Sequence, residues 1–193
     1  MAPIKQVILC GLGGQGIVLA GAILSHAAFN DGKWVSSTDS YGAAARGGAC
    51  RAEVVISKTP IVFPYVIAAD TLIAMYQTAY DRNIGLVKPG EGAVIYDQRF
   101  IPKEMKGLKY AGIPATRTAI EELSNGMAAN VIILSAAVEM TDLVSRKGLE
   151  SAIEEIIPRR LRELNLKAMD IGFRLGRTGS NRIHLHKQGK VTD

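Results

Sequence analysis

The chain has 193 residues, 48% of them hydrophobic and 21% charged, and a net charge of +5. That length buries one core without staples, and no apolar run approaches the roughly 18 residues that cross a membrane, so no membrane association is expected. The two cysteines, Cys10 and Cys50, form no C-x-x-C pair and the three histidines are scattered, which excludes a zinc or iron–sulfur site made by this chain alone.

The opening Met-Ala-Pro-Ile-Lys-Gln lacks the charged, apolar and cleavage-site succession of a signal peptide, so a cytoplasmic protein is expected. From Pro158 to Asp193 there are nine Lys/Arg against three acids, leaving the first 157 residues close to neutral. Such a segment can meet nucleic acid or an acidic partner. Phe173 alone interleaves an aromatic and no nucleic-acid module is present, so a solvated or partner-facing surface is the expectation.

The first element is an apolar strand, Val7 to Cys10, followed at once by Gly11-Leu-Gly-Gly-Gln-Gly16 and a small-residue helix from Ile17 to Phe29. Backbone N–H groups at a helix start have no intrahelical partner, and the helix dipole adds partial positive charge there. Gly11, Gly13 and Gly16 meet the G-x-G-x-x-G spacing of dinucleotide folds, and Asp39 stands roughly where a nicotinamide site places its ribose-binding acid. A turn that merely packs helix on strand gives the same glycines.

A second strand is expected over Gly32 to Thr38, entered through the Asn30-Asp-Gly turn. Next comes Ser40-Tyr-Gly-Ala-Ala-Ala-Arg-Gly-Gly48, a small-residue loop with one aromatic hydroxyl and one guanidinium. Arg46 can engage a phosphate or carboxylate bidentately, and Tyr41 can stack or donate. The loop follows strand two, so it belongs at the sheet edge that holds the glycine turn. A purely structural loop of this composition is the competing reading.

Arg51 to Ser57 reads as a third strand, and Pro60 and Pro64 then impose a loop or short helix. Asp70 to Met75 is a fourth strand, Gln77 to Ile84 a short helix, Lys88-Pro-Gly-Glu-Gly92 a turn, and Ala93 to Tyr96 a fifth strand. A sixth falls at Gly112 to Ala115, with Pro114 confining it to an edge or strand end. Thr116 to Leu123 forms a helix. Met127 to Leu143, apolar and free of glycine and proline, is a buried helix. After Ser145-Arg-Lys-Gly148 come helices from Leu149 to Ile157 and from Arg159 to Leu175, the last capped by Gly176. Asn165 and Asp170 read as helix-surface or interface residues. The alternation predicts a three-layer, Rossmann-like α/β domain around a mostly parallel or mixed sheet, spanning 1–178, with a basic C-terminal tail over 179–193.

The Gly-Leu-Gly-Gly-Gln-Gly16 turn with Leu19-Ala-Gly21, and the Ser40-Tyr-Gly to Arg46-Gly-Gly48 loop, resemble the gamma subunit of 2-oxoacid:ferredoxin (acceptor) oxidoreductases. The similarity continues through Ser57, Pro60-Ile61, Asp70, Lys88-Pro-Gly90, Pro114-Ala-Thr116, Ala129-Asn130, Asn165-Leu-Lys-Ala168 and Gly172, nearly the whole chain in order.

The resemblance implies a CoA-acylating oxidoreductase of anaerobic metabolism that oxidatively decarboxylates a 2-oxoacid with coenzyme A to an acyl-CoA and carbon dioxide, passing electrons to ferredoxin. It further implies alpha, beta and ferredoxin-like delta subunits as partners, with thiamine diphosphate, Mg and iron–sulfur clusters carried by them and none by this chain alone. The gamma subunit would form part of the coenzyme A side of the site. On that reading Gly13, Gly14, Gln15 and Gly16, with Tyr41, Arg46, Gly47 and Gly48, face coenzyme A. Asn130, polar at the start of an apolar helix, either joins them or serves as a structural amide. No nucleophile–base pair is visible, so no catalytic residue is expected and the chain is not active alone. 2-Oxoglutarate is the favoured substrate; pyruvate, branched-chain, indolepyruvate and aryl-glyoxylate enzymes stay open. Two other classes compete: a stand-alone nicotinamide oxidoreductase using Gly11, Gly13, Gly16 and Asp39, and a ligand-free scaffold.

Overall fold

The computed structural model describes residues 4–41, 48–100, 102–180 and 184–185. Strand β1 (Lys5–Leu12) lies inside the sheet and is buried on both faces. Its side chains alternate: Val7 and Leu9 join the larger core cluster, while Ile8 and Cys10 join a second cluster across the sheet. A strand covered on both sides reads as a continuous apolar run, which is why Val7 to Cys10 stands out in the sequence.

The other strands are β2 (Trp34–Tyr41), β3 (Ala49–Ser57), β4 (Thr71–Ala74), β5 (Ala93–Asp97), β6 (Lys109–Ile113) and β7 (His184–Leu185), in the spatial order β2-β3-β1-β4-β5-β6-β7. Pairings from β1 through β4 and β5 to β6 are parallel. β3 runs antiparallel to both β1 and β2, and β7 antiparallel to β6. The sheet is therefore mixed, with β1, β2, β4, β5 and β6 running one way and β3 and β7 the other, so most strands share one direction as the strand–helix alternation predicts. The chain after the final helix is not wholly outside the fold, because His184 and Leu185 pair with Tyr110 and Lys109.

Helices α1 (Ile17–Asn30), α3 (Ala115–Leu123), α4 (Ala129–Thr141), α5 (Arg146–Ile156) and α6 (Arg159–Ser180) bury their apolar residues in the larger cluster. α2 (Gln77–Asn83) covers the other face, with Tyr80 donating to the Lys103 carbonyl at 2.6 Å and so fastening the following loop down. Ten of the thirteen residues of α4 are buried, from Ala129 to Val138. It begins two residues later than the apolar pattern suggests, because Asn125 first caps a 3-10 turn over Gly126–Ala128 through the Met127 N–H.

Two expectations about α6 need correction. Gly176 does not cap it; the helix continues to Ser180. Gly172 and Gly176 instead lie one turn apart against α4, where a Cβ on Gly172 would meet the Ile132 carbonyl oxygen at 2.4 Å and one on Gly176 the Ala136 oxygen at 2.9 Å. Glycine is needed there for close helix approach. Asn165 is not on the surface either: it is buried and donates to the Leu161 carbonyl at 2.8 Å. Asp170 is exposed and pairs with Arg146.

Candidate functional site

The glycine turn lies where β1 ends and α1 begins, at the C-terminal edge of the parallel strands. Gly16 is the N-cap of α1 with φ +73°, and no acidic side chain lies in the first helical turn to offset the dipole. An L side chain at Gly16 would be strained by that φ and would also meet the Asn130 amide nitrogen at 2.3 Å. Gly13 and Gly14 are exposed. The Gly13 N–H donates to the Gly48 carbonyl at 2.9 Å, so this donor holds the two loops together.

Gln15 bridges two strand ends. Its Oε1 accepts from the Leu12 N–H at 2.6 Å, and its Nε2 donates to the Met75 carbonyl at 3.3 Å. The side chain thus shapes the turn from β1 to β4, a role that sequence alone does not reveal. Asn130 is the second residue of α4 and 3% exposed. Its Nδ2 donates to the Gly16 carbonyl at 3.0 Å while its Oδ1 accepts from the Val131 N–H at 2.8 Å.

The second loop arrives beside the turn because β2 and β3 form a hairpin. Tyr41 is the last residue of β2 and stands opposite Cys50, while Ala49 stands opposite Leu12 on β1. The loop's ends therefore reach the sheet edge from which the glycine turn emerges. Arg46 and Gly47 lie outside the described residues, and Tyr41 is described through its backbone.

Three exposed apolar residues lie near these positions in the chain. Leu19 in the first turn of α1, Tyr76 directly after Met75, and Met127 three residues before Asn130 are all exposed. The site thus combines exposed backbone with a helix N-terminus, suited to an anionic group.

The sheet order corrects the nicotinamide reading. Such a site needs the acid on the strand beside β1, but β3 intervenes between β1 and β2, and Asp39 pairs with Ala52 of that intervening strand. Asp39 is thereby held one strand away from the glycine turn.

One polar cluster near the site escaped the sequence reading. Arg51, opposite Cys10 in β3, donates to Asn83 of α2 at 3.1 Å and pairs with Glu53 at 2.7 Å. Burial pushes the Cys10 thiol up to about 12, only partly offset by the Arg51 charge and the Asn83 contact. Sequence alone does not reveal this grouping, because Cys10, Arg51 and Asn83 lie far apart in the chain and meet only through the β1–β3 register and the packing of α2.

The family of pyruvate ferredoxin/flavodoxin oxidoreductases matches residues 6–175. The 2-oxoglutarate synthase subunit KorC of Methanocaldococcus jannaschii is 40% identical over 177 residues, covering 90% of this chain and 94% of that protein. The ketoisovalerate oxidoreductase subunit VorA of Methanothermobacter marburgensis is 33% identical over 86% of this chain, but only 35% of VorA is matched. Among solved structures, the keto/oxoacid ferredoxin oxidoreductase gamma subunit of Geobacter sulfurreducens superposes with a TM-score of 0.78 at 32% identity, covering 90% of this chain and 99% of that one. The mixed sheet, the glycine turn locked by Gln15 and Asn130, and these likenesses over nearly the whole length make the chain a gamma-type member of the pyruvate ferredoxin/flavodoxin oxidoreductase family.

Proposed function

We propose that this chain is the gamma subunit of a 2-oxoglutarate:ferredoxin oxidoreductase, acting in the cytoplasm with alpha, beta and delta chains. In this reading the complex decarboxylates 2-oxoglutarate oxidatively with coenzyme A, and this chain forms one wall of the coenzyme A site. The observation that carries the substrate choice is the end-to-end likeness to KorC, with 94% of that protein matched at 40% identity. Thiamine diphosphate supplies carbanion stabilisation in such complexes, and we assign it, Mg and the iron–sulfur clusters to the companion chains. Both cysteines of this chain are buried in the core, which supports that assignment.

The chain's own contribution is positional. The α1 N-terminus offers partial positive charge and backbone donors to a phosphate, with Gly14 exposed beside it. Arg46 from the adjoining loop would pair with a phosphate oxygen. Leu19, Tyr76 and Met127 would flank the pantetheine arm. Gln15 and Asn130 hold the turn in shape rather than touching the ligand, since both are engaged by backbone groups.

The test is the assembled complex carrying Arg46→Ala, assayed for coenzyme A-dependent ferredoxin reduction. A KM for coenzyme A raised about tenfold, the loss of one charge-assisted contact, with kcat retained, is expected. An unchanged KM would remove Arg46 from the site. Faster turnover of pyruvate than of 2-oxoglutarate by the wild-type complex would overturn the substrate choice.

A further inference from the structure

The segment between β3 and β4 carries Pro60 and Pro64 and exposes a run of large apolar side chains: Val62 is 97% exposed, Ile67 68%, and Phe63 and Tyr65 54% each. Such residues are ordinarily buried, and a contiguous exposed group of them marks an interaction surface. The segment is fixed in place. Glu53 accepts from the Val66 N–H at 3.3 Å, Gln6 Oε1 accepts from the Ile67 N–H at 2.6 Å, and Ser36 donates to the Pro64 carbonyl at 3.0 Å. Phe63 and Tyr65 pack edge to face with centroids 5.5 Å apart. The apolar side chains are therefore presented by an anchored backbone.

Beneath them runs an open groove of about 370 Å³, lined by Ile4, Val55, Phe63, Tyr65 and Ile67 among others. Trp34, 55% exposed, lies on the same sheet face as Ser36, two residues along β2. β2 is itself the outermost strand on this side. The groove reaches Ile4 and Gln6 at the start of β1, whereas the glycine turn follows Leu12 at its other end. From Gln6 to Leu12 the strand rises about 20 Å, so ligand binding at the turn does not explain this surface.

One relative carries a further segment that is a suitable occupant. In VorA the matched region is 35% of one polypeptide, so about two-thirds of that protein is tethered covalently to its counterpart of this chain. A tether supplies an effective concentration that two separate chains lack, and their contact surface must then provide the affinity itself. Exposed aromatic anchors beside a groove are suited to that task. We infer that the surface made by Trp34, Val62, Phe63, Tyr65 and Ile67 docks the companion oxidoreductase chain corresponding to the part of VorA that this chain lacks. This rests on the reading of the chain as one subunit of such a complex.

The experiment is co-expression of the tagged chain with the companion chains of its own source, wild type against Val62→Asp/Phe63→Asp. Both positions are exposed, so the isolated variant keeps the wild-type melting temperature and circular dichroism, while recovery of the companion chain falls at least about tenfold. Undiminished recovery overturns the docking surface and leaves the subunit reading intact. No companion recovered with the wild type overturns both. An isolated chain that dimerises through this face, with the hetero-complex unaffected by the substitutions, assigns the surface to a second copy and also overturns the proposal. Should the charged variant fail to fold, amide exchange of the wild type decides: residues 61–67 become protected in the complex, and unaltered exchange there counts against docking.

Discussion

The Asn130 side-chain amide donates to the Gly16 carbonyl at 3.0 Å, joining the start of α4 to the residue from which α1 springs. The glycine turn is thus held by a helix more than a hundred residues further along the chain. A Cβ on Gly16 would meet that amide nitrogen at 2.3 Å, and the residue's φ is +73°. Gly16→Ala is expected to cost about 2–4 kcal/mol and Asn130→Ala about 1–3 kcal/mol, read from urea unfolding midpoints. The double variant should be less destabilised than the sum by at least about 0.5 kcal/mol, because removing the amide relieves the clash. Strict additivity would mean that the two positions do not meet.

Gln15→Ala removes the acceptor of the Leu12 N–H and the donor to the Met75 carbonyl. A loss of about 1–3 kcal/mol is expected. A local readout accompanies it: the Leu12 amide should exchange with solvent faster than in the wild type, while amides inside β4 keep their protection. Unaltered Leu12 exchange would show that Gln15 does not hold the strand end.

Asp31 gives the molecule an acid-sensitive joint between α1 and α5. Burial pushes its carboxyl up, but donation from the Ser145 hydroxyl and N–H, with Lys33 beside it, outweighs this and leaves the folded pKa below the ordinary 3.8. A depressed carboxylate contributes stability that is present above the unfolded value and lost as pH falls through the folded one. Asp31→Asn should therefore lower the melting temperature at pH 7 and flatten its decline below about pH 4. Parallel melting profiles for the two proteins across that acid range would contradict this.

Thiol chemistry should be silent in the native protein. Cys10 is wholly buried and its thiol is pushed up to about 12, while Cys50 is raised by burial and by the nearby Asp39 charge. Reactivity belongs to the thiolate, so alkylation at pH 8 should modify neither cysteine until denaturant exposes both. Rapid stoichiometric labelling of Cys10 under native conditions would be the contrary result.

The sequence showed the local grammar of the site but not its closure. Strand, glycine turn and helix were legible because β1 is buried on both faces and α1 starts on small residues. Asp70 and Lys88 stand out separately in the sequence, and the structure pairs them at 2.5 Å across two loops. The direction of β3 was not legible, since parallel and antiparallel strands of similar burial share one apolar pattern. That direction decides where Asp39 sits. Gln15 and Asn130 look in sequence like ligand-facing amides, yet their partners are backbone groups of other elements. Gly176 follows an apolar helix as a cap would, and only the packing of α4 on α6 reveals its use. The apolar residues around Pro64 read as an interruption, because periodicity carries no information about which side of a loop faces out.

The β2–β3 hairpin has a consequence for the order of assembly. β1, β2 and β3 lie within residues 5–57, and antiparallel pairing between chain neighbours closes short loops and forms early. During N-to-C synthesis, this unit can set Gly13 of the turn against Gly48 before residue 130 has left the ribosome. The latch arrives last. A nascent chain thus holds the turn through Gln15, and the Asn130 bond is added only when α4 is made.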